Sequence, residues 1–458
     1  MKGAVAAGHP VTAAVGAQVL ERGGNAVDAC VAAGFASWVA ESPLTGPGGG
    51  GYMLVHTAHD RRTRVLDFFV TVPSRPRAAP EEVIVEFADS QTQPFSIGPG
   101  TCAVPGNPAG LETAHRSYGA LPWRDVVAPA VELARDGVDV IEAQAFLHRI
   151  LAPMVANTVV AGLDTGRRVV APDLARTLER IAARGVGDLY AGELGRAIAR
   201  TVDSFTREDL ARYRVVRRRP VVGRYRGAEF LSNPPPSSGG VLIAYGLRHL
   251  ERPGRFGTPA AIRRLAAAME AQTKARSRRL TRELARGTTH ISVLDADGNA
   301  ASLSASTGQG SGVVIEGTGI HLNNMLGEED LLVGEPRPGE RLTSMMAPSL
   351  ALDQGRPRLV LGSAGSLRLR GAIMQVVVNV LGHGMSVPEA VAAPRVHLEG
   401  DVLHLEPPLT PGGVPYQVAA WLDRNLYFGG VSAVEQHADD TLAAAGDPRR
   451  GGAGLIVD

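Results

Sequence analysis

The run Thr288-Thr289-His290-Ile291-Ser292-Val293-Leu294, then Asp295-Ala296-Asp297-Gly298-Asn299, then Ala300-Ala301-Ser302-Leu303-Ser304-Ala305-Ser306, commits the middle of the chain to an antiparallel hairpin. Apolar positions at Val293, Leu294, Ala301 and Leu303 flank the turn. Asp and Gly-Asn within it supply the local hydrogen bonds and positive φ that a tight reversal needs. Thr288 and Thr289 then stand at the open end, and Ser304, Ser306 and Thr307 return to it. A hydroxyl on one strand start would face a second hydroxyl across the pair. Ordinary strand propensity accounts for such a start. A second reading is cleavage of the Gly287–Thr288 bond, which would make Thr288 an N-terminus with its own α-amine as base. Gly287 suits that reading, because a strained scissile peptide tolerates unusual φ best without a β-carbon.

Around this hairpin the pattern alternates between helix and strand. Apolar residues at helical spacing fill 11–21 and 27–40, separated by Arg-Gly-Gly-Asn. A glycine-rich turn at 46–51 feeds a strand from Tyr52, and 64–73 reads as another strand. Residues 109–140 predict two helices joined by Gly-Ala-Leu-Pro, and helix signals continue through 172–201. Pro234-Pro235-Pro236 ends a strand before a helix opening at Ser237-Ser238. The stretch 259–286 reads as a long Arg/Ala-rich helix and an exposed connector. Strands are predicted at 289–306, 312–324 and 348–361, followed by a helix at 368–382. The sum is an α/β fold of the layered α+β kind, with α/β/β/α layering.

Composition excludes several function classes. A formal charge of +1 over 458 residues makes no electrostatic case for nucleic acid or an anionic membrane. Two cysteines, Cys30 and Cys102, are too few for a disulfide framework and read as buried thiols. The N-terminal stretch lacks a signal peptide's apolar core and no segment reaches membrane-spanning length, so a cytoplasmic protein is expected. The histidines lack metal spacing, the 295–299 turn lacks the glycine and glutamate of a calcium loop, and the 46–51 glycines precede a strand instead of opening a helix. Neither a metal nor a cofactor is expected.

Several motifs in fixed order give the chain a family likeness. GGNAVDACVAAGFA with GPGGGGYMLV, VPGNPAGLETAHRSYGALPWRDVVAPAVELARDGV, NPPPSSGGVLI, TTHISVLDADGNAASL, GTGIHLNNML, TSMMAP and GSAGSLRLR occur in that order. Together they resemble the γ-glutamyltransferase family of N-terminal-nucleophile hydrolases over nearly the whole chain. The resemblance implies a four-layer αββα sandwich and autocatalytic cleavage into a large segment, 1–287, and a small one, 288–458, that stay associated as a heterodimer. It implies Thr288 as processing residue and nucleophile and Ser306 as its hydroxyl partner. Gly365 and Ser366 would be the oxyanion-hole N–H donors, and Thr343 and Ser344 would contact the substrate carboxylate. The implied activity is transfer or hydrolysis of a γ-glutamyl-like acyl group from a small-molecule amide or amino-acid-derived substrate.

The headgroup positions depart from the family pattern. Phe69 stands where the family has a carboxylate-gripping arginine, and a phenyl ring cannot replace that recognition. Arg75 and Arg77 lie nearby in sequence. Gly308, or Gln309 in a shifted alignment, replaces an asparagine, Met325 replaces a glutamine, and Glu328 replaces an aspartate. The connector before Thr288 and the 328–342 segment are short. The alternatives are therefore an enzyme acting on a non-γ-glutamyl substrate (an acylase, an oxamate-type amidase, or a C–C bond-cleaving enzyme of an actinomycete biosynthetic pathway) and an unprocessed, non-catalytic pseudoenzyme.

Overall fold

In the computed structural model the structure describes residues 2–88, 91–277, 288–328, 331, 337–365 and 368–458. The predicted connector at 278–287, including Gly287, lies outside the described residues, as does Ser366.

Thirteen strands build two central sheets: β1 (Gly3–Ala7), β2 (Gly50–Thr57), β3 (Arg62–Phe68), β4 (Val216–Arg218), β5 (Val221–Tyr225), β6 (Ala228–Ser232), β7 (Thr289–Asp295), β8 (Ala300–Ser306), β9 (Ser349–Asp353), β10 (Arg356–Ala364), β11 (Gly430–Gln436), β12 (Leu442–Ala445) and β13 (Ala453–Val457). The seven-stranded sheet runs β13-β1-β7-β8-β2-β3-β4 and the six-stranded sheet β12-β11-β10-β9-β6-β5. Every pairing in both is antiparallel. The predicted hairpin is β7–β8, at the centre of the larger sheet.

Helices cover the outer face of each sheet. α1 (Pro10–Glu21), α2 (Ala26–Ala40), α3 (Asn107–Tyr118), α4 (Trp123–Asp136) and α5 (Pro172–Arg184) pack on the seven-stranded sheet through one apolar cluster that includes Ile291, Val293 and Leu303. α6 (Gly239–Arg248), α7 (Pro259–Ser277) and α8 (Arg368–Val377) cover the six-stranded sheet through Phe230, Leu359, Leu361 and Val431. A third cluster, with Tyr52, Leu54 and Leu294 from one sheet and Leu350, Val360 and Val434 from the other, fills the space between them. The period-two alternation of β7 explains the layering. Ile291 and Val293 join the helix-side cluster, while Ser292 reaches the other sheet by donating to the Ser432 carbonyl at 3.0 Å.

α2 positions the site most directly. Asn25 accepts from the Val27 and Asp28 amides at 2.9 and 3.0 Å, and the Asp28 carboxylate accepts from the Asn25 amide at 3.1 Å. This capping box starts a helix whose residues are all buried, as its nearly unbroken Ala/Val sequence allows. The helix ends at Glu41, beside the start of β7.

One strand expectation fails. Residues 312–324 form only the two-residue pair Val314–Ile315 and Ile320–His321, because Gly317 and Gly319 take positive φ of 69° and 66° and turn the chain between them. The long helix expected at 259–286 is described as far as Ser277.

Candidate active site

Thr288 immediately precedes β7. The β7–β8 register pairs Thr289 with Ala305 and His290 with Ser304, so one further step brings Thr288 opposite Ser306. Both are buried. Ser306 also pairs with Gly50 of β2. A Cβ at Gly49 or Gly51 would collide with the Ser306 or Ser304 carbonyl, so the glycine run serves close strand approach. The Ser306 Oγ accepts the Gly308 amide at 2.8 Å, and the Thr307 hydroxyl donates to the Pro43 carbonyl.

A cavity of about 30 Å³ opens at this strand end, lined by Thr288, Thr289, Glu41, His9, Gly430 and Arg450 among others. Glu41 is 4% exposed; Thr12 donates to it at 2.8 Å, and so does the Thr289 hydroxyl. Burial pushes the Glu41 carboxyl up to about 7, against the pull of the two hydroxyls and of Arg450. His290 points between the sheets, with Nδ1 2.8 Å from Ser304 Oγ and Nε2 3.0 Å from Ser292 Oγ. Burial drives its pKa down to about 3, so the imidazole is neutral at working pH. It packs on Gly362, where a Cβ would strike the ring.

The oxyanion-hole candidate Gly365 directly follows β10 with φ of 117°, a value that favours glycine. Its Cβ position lies 3.5 Å from Arg450 Nη2. Gly308 has φ of 72°, and a Cβ there would collide with Asn324 Oδ1 and press on Glu328 Oε1. Gly308, Asn324 and the buried Glu328 therefore form one group. Gln309 also joins it, its amide donating to Asn324 Oδ1 at 3.0 Å. Thr343 donates to the Leu331 carbonyl at 2.9 Å, and Ser344 Oγ accepts the Met346 amide at 3.0 Å.

Phe69 and Met325 share the apolar cluster between the sheets with Val72, Leu326, Leu342 and Met346. The Phe69 ring stacks on Tyr52 with centroids 5.5 Å apart, and its carbonyl is held by Tyr213 at 2.8 Å and by Arg341. Arg75 and Arg77 are exposed, and the Arg77 guanidinium donates to the Leu326 carbonyl at 3.4 Å.

Two residues escaped the sequence reading. Glu41 carried a faint signal, a lone carboxylate closing a fifteen-residue apolar helix. Arg450 carried none, because it is distant in sequence from Thr288 and Glu41. Among the described residues no group of three His, Cys, Asp or Glu side chains is arranged to hold a metal ion. Cys30 and Cys102 are buried free thiols. No helix among the described residues is long and apolar enough to cross a membrane.

The profile of the Gamma-glutamyltranspeptidase family matches residues 12–285 and 261–457. The chain belongs to that family. It is 33% identical to the Acylase ACY 1 proenzyme of Pseudomonas sp. (strain SE83), covering 100% of this chain and 94% of the relative. It is 31% identical to the Glutathione hydrolase proenzyme of Escherichia coli (strain K12), covering 98% and 90%. Among solved structures, cephalosporin acylase from Bacillus halodurans superposes with a TM-score of 0.81 at 24% identity, covering 100% of this chain and 96% of that one, which shows the shared fold. Helicobacter pylori gamma-Glutamyltranspeptidase gives 0.51 at 31% identity, over 59% of this chain and 81% of that one. The layered α+β architecture is thus the N-terminal-nucleophile fold of this family of enzymes.

Proposed function

We propose that this chain is a self-processing threonine amidohydrolase or acyltransferase that is cut between Gly287 and Thr288 and then works through an acyl-enzyme on Thr288. The observation that carries this reading is the placement of Thr288 directly before a central strand, buried beside a cavity and opposite Ser306 by continuation of the β7–β8 register. In the proposed reaction the freed α-amine takes the Thr288 hydroxyl proton while Oγ attacks the amide carbonyl. Backbone N–H groups at Gly365 and Ser366 stabilise the oxyanion, the amine leaves with the proton, and water or an acceptor amine releases the acyl group. Ser306 orients the nucleophile. His290, neutral and engaged on both ring nitrogens, is not the base.

The segments 1–287 and 288–458 would remain one body after the cut. β7 and β8 lie between β1 and β2 in one sheet, and β9 lies beside β6 in the other. Separating the segments would break backbone ladders in both sheets.

The acyl group is read as other than γ-glutamyl. A γ-glutamyl donor presents an α-ammonium and an α-carboxylate, while Phe69 and Met325 are buried among apolar side chains and Gly308 offers no side chain. Relatives named acylase and glutathione hydrolase both occur, so the family alone leaves the donor open. Denaturing electrophoresis tests the processing. Wild type is expected as two bands with Thr288 at the new N-terminus, and Thr288→Ala as a single full-length band. One uncut wild-type band would sink the self-processing model. Parallel assays of γ-glutamyl anilide and simple acyl anilides test the donor, with faster turnover expected for the simple acyl series.

A further inference from the structure

Glu41 is a buried ionisable side chain for which the proposed reaction has no step. It caps the end of α2, and other elements close around its carboxylate. α1 supplies the Thr12 hydroxyl, which donates to Oε1 at 2.8 Å, and β7 supplies the Thr289 hydroxyl, which donates to Oε2. Gly8, between β1 and α1, makes the room, since a Cβ there would lie 2.6 Å from Oε2. Burial outweighs the two hydrogen bonds and the charge of Arg450, pushing the carboxyl up to about 7, so the ionised group costs stability. A side chain kept at that cost on the wall of the cavity that holds Thr288 points to a role in the chemistry.

Alternation along β7 shows what Glu41 holds. Ile291, Val293 and Ala305, the partner of Thr289, face the helices, whereas His290 bonds Ser304 between the sheets. Thr289 therefore points to the helix side, where Glu41 lies, and continuing the alternation aims Thr288 and Ser306 to the other side. Before a cut Thr288 has no free α-amine, and the backbone at the start of β7 sets the pose of its hydroxyl. Resting on the reading of Thr288 as cut site and nucleophile, we propose that ionised Glu41 is a positioning residue: by accepting the Thr289 hydroxyl it fixes the rotation of the strand start and so aims the Thr288 hydroxyl for self-cleavage. A carboxylate accepts from both threonines. A protonated carboxyl donates through one oxygen, so one of the two hydroxyls must turn from donor to acceptor. The other titratable groups around the cavity are His9 between β1 and α1, His148 in the helix Glu142–Ile150, His290 in β7, and Asp447 and Arg450 in the C-terminal turn. Burial lowers His9 to about 4, His290 to about 3 and Arg450 to about 10, and it lowers His148 as well. Burial opposes the ionisation of Asp447, but Arg395 and Arg449 outweigh it and hold that carboxyl below its usual range. Glu41 is the group of this set that titrates at about 7.

The test follows cleavage of the full-length chain, made by cell-free translation and moved to buffers between pH 5.5 and 8.5, with the cut fraction read over time on denaturing gels. At pH 8 Glu41→Gln and Thr289→Val are each expected to slow cleavage at least about ten-fold, and Thr289→Ser, which keeps the hydroxyl, to recover most of the rate. The double variant Glu41→Gln with Thr289→Val should be no slower than the slower single one, because both break one contact. The ratio of wild-type to Glu41→Gln rates should shrink toward one as pH falls below about 7, where the protonated carboxyl resembles the amide. Thermal melts at pH 8 in the Thr288→Ala background separate positioning from folding. Glu41→Gln is expected to melt no lower than its parent; slow cleavage with a lowered melt would assign Glu41 to folding and overturn the proposal. Equal cleavage of wild type and Glu41→Gln overturns it as well, as does a rate ratio that pH leaves unchanged or a double variant whose losses multiply. An uncut wild type overturns the nucleophile reading, and this proposal with it.

Discussion

Glu41→Gln isolates the most perturbed carboxyl of the site. The comparison belongs in a Thr288→Ala background, where the proposed cleavage cannot occur and unfolding is followed on one chain. Glu41 is 4% exposed and its pKa moves from 4.5 to about 7, with burial the largest cause. A shift of that size carries about 3 kcal/mol of pH-dependent free energy. The sign follows from proton counting. Between pH 4.5 and 7 the folded chain holds a proton on Glu41 that the unfolded chain has released, so stability falls as pH rises through that window. Glutamine stays neutral throughout and keeps a similar shape against Thr12 and Thr289. Urea unfolding by circular dichroism, at fixed salt from pH 4 to 8.5, should show the variant's stability relative to the parent rising by about 3 kcal/mol. Other groups cancel in the difference, including His9 and His148, which line the cavity and whose pKa values burial lowers. Parallel pH profiles would refute the reasoning, because Glu41 would then ionise in the fold as easily as in water.

Three further outcomes follow from the geometry. Gly308→Asn puts a Cβ into Asn324 Oδ1 and should cost about 1–3 kcal/mol in thermal melts without creating γ-glutamyl turnover; gained turnover at parent stability would contradict this. Phe69→Arg drives a guanidinium into an apolar cluster and should cost about 3–5 kcal/mol or abolish soluble expression; a variant as stable as wild type would show that the side chain reaches solvent or an anion. His290, bonded to two serines and held down to about 3, should show no imidazole titration by NMR between pH 5 and 8; a midpoint near 6.5 would mean an open site.

Much of the fold could be read directly because period and punctuation agreed. The apolar spacing of 11–21 and 27–40, the break between them and the Asp-Gly turn of β7–β8 each specify local structure without help from the rest of the chain. The 312–324 expectation failed because its alternating apolar residues outvoted two glycines that turn the backbone. At the site, the proximity of Thr288 and Ser306 was readable because both lie on one hairpin, so register alone relates them. Glu41 and Arg450 were not, since α2 and the C-terminal turn reach Thr288 only through the stacking of layers. Phe69 was singled out by likeness to a family pattern, whereas its stacking on Tyr52 required the assembled sheets.

The site divides into a part set by backbone ladders and a part set by side-chain packing. Ser306 is held by ladder pairing of β8 with β2, Thr288 directly precedes the paired strand β7, and the carbonyls of Ser304 and Ser306 sit against glycines that admit no side chain. A change there shifts strands at the centre of the molecule and costs the core packing on both faces. Phe69, Gly308 and Met325 lie outside the strands of the two central sheets, on the segments that follow β3 and β8. Their exchange leaves every ladder in register, and its cost falls on local packing, as the Phe69 and Gly308 substitutions are expected to show.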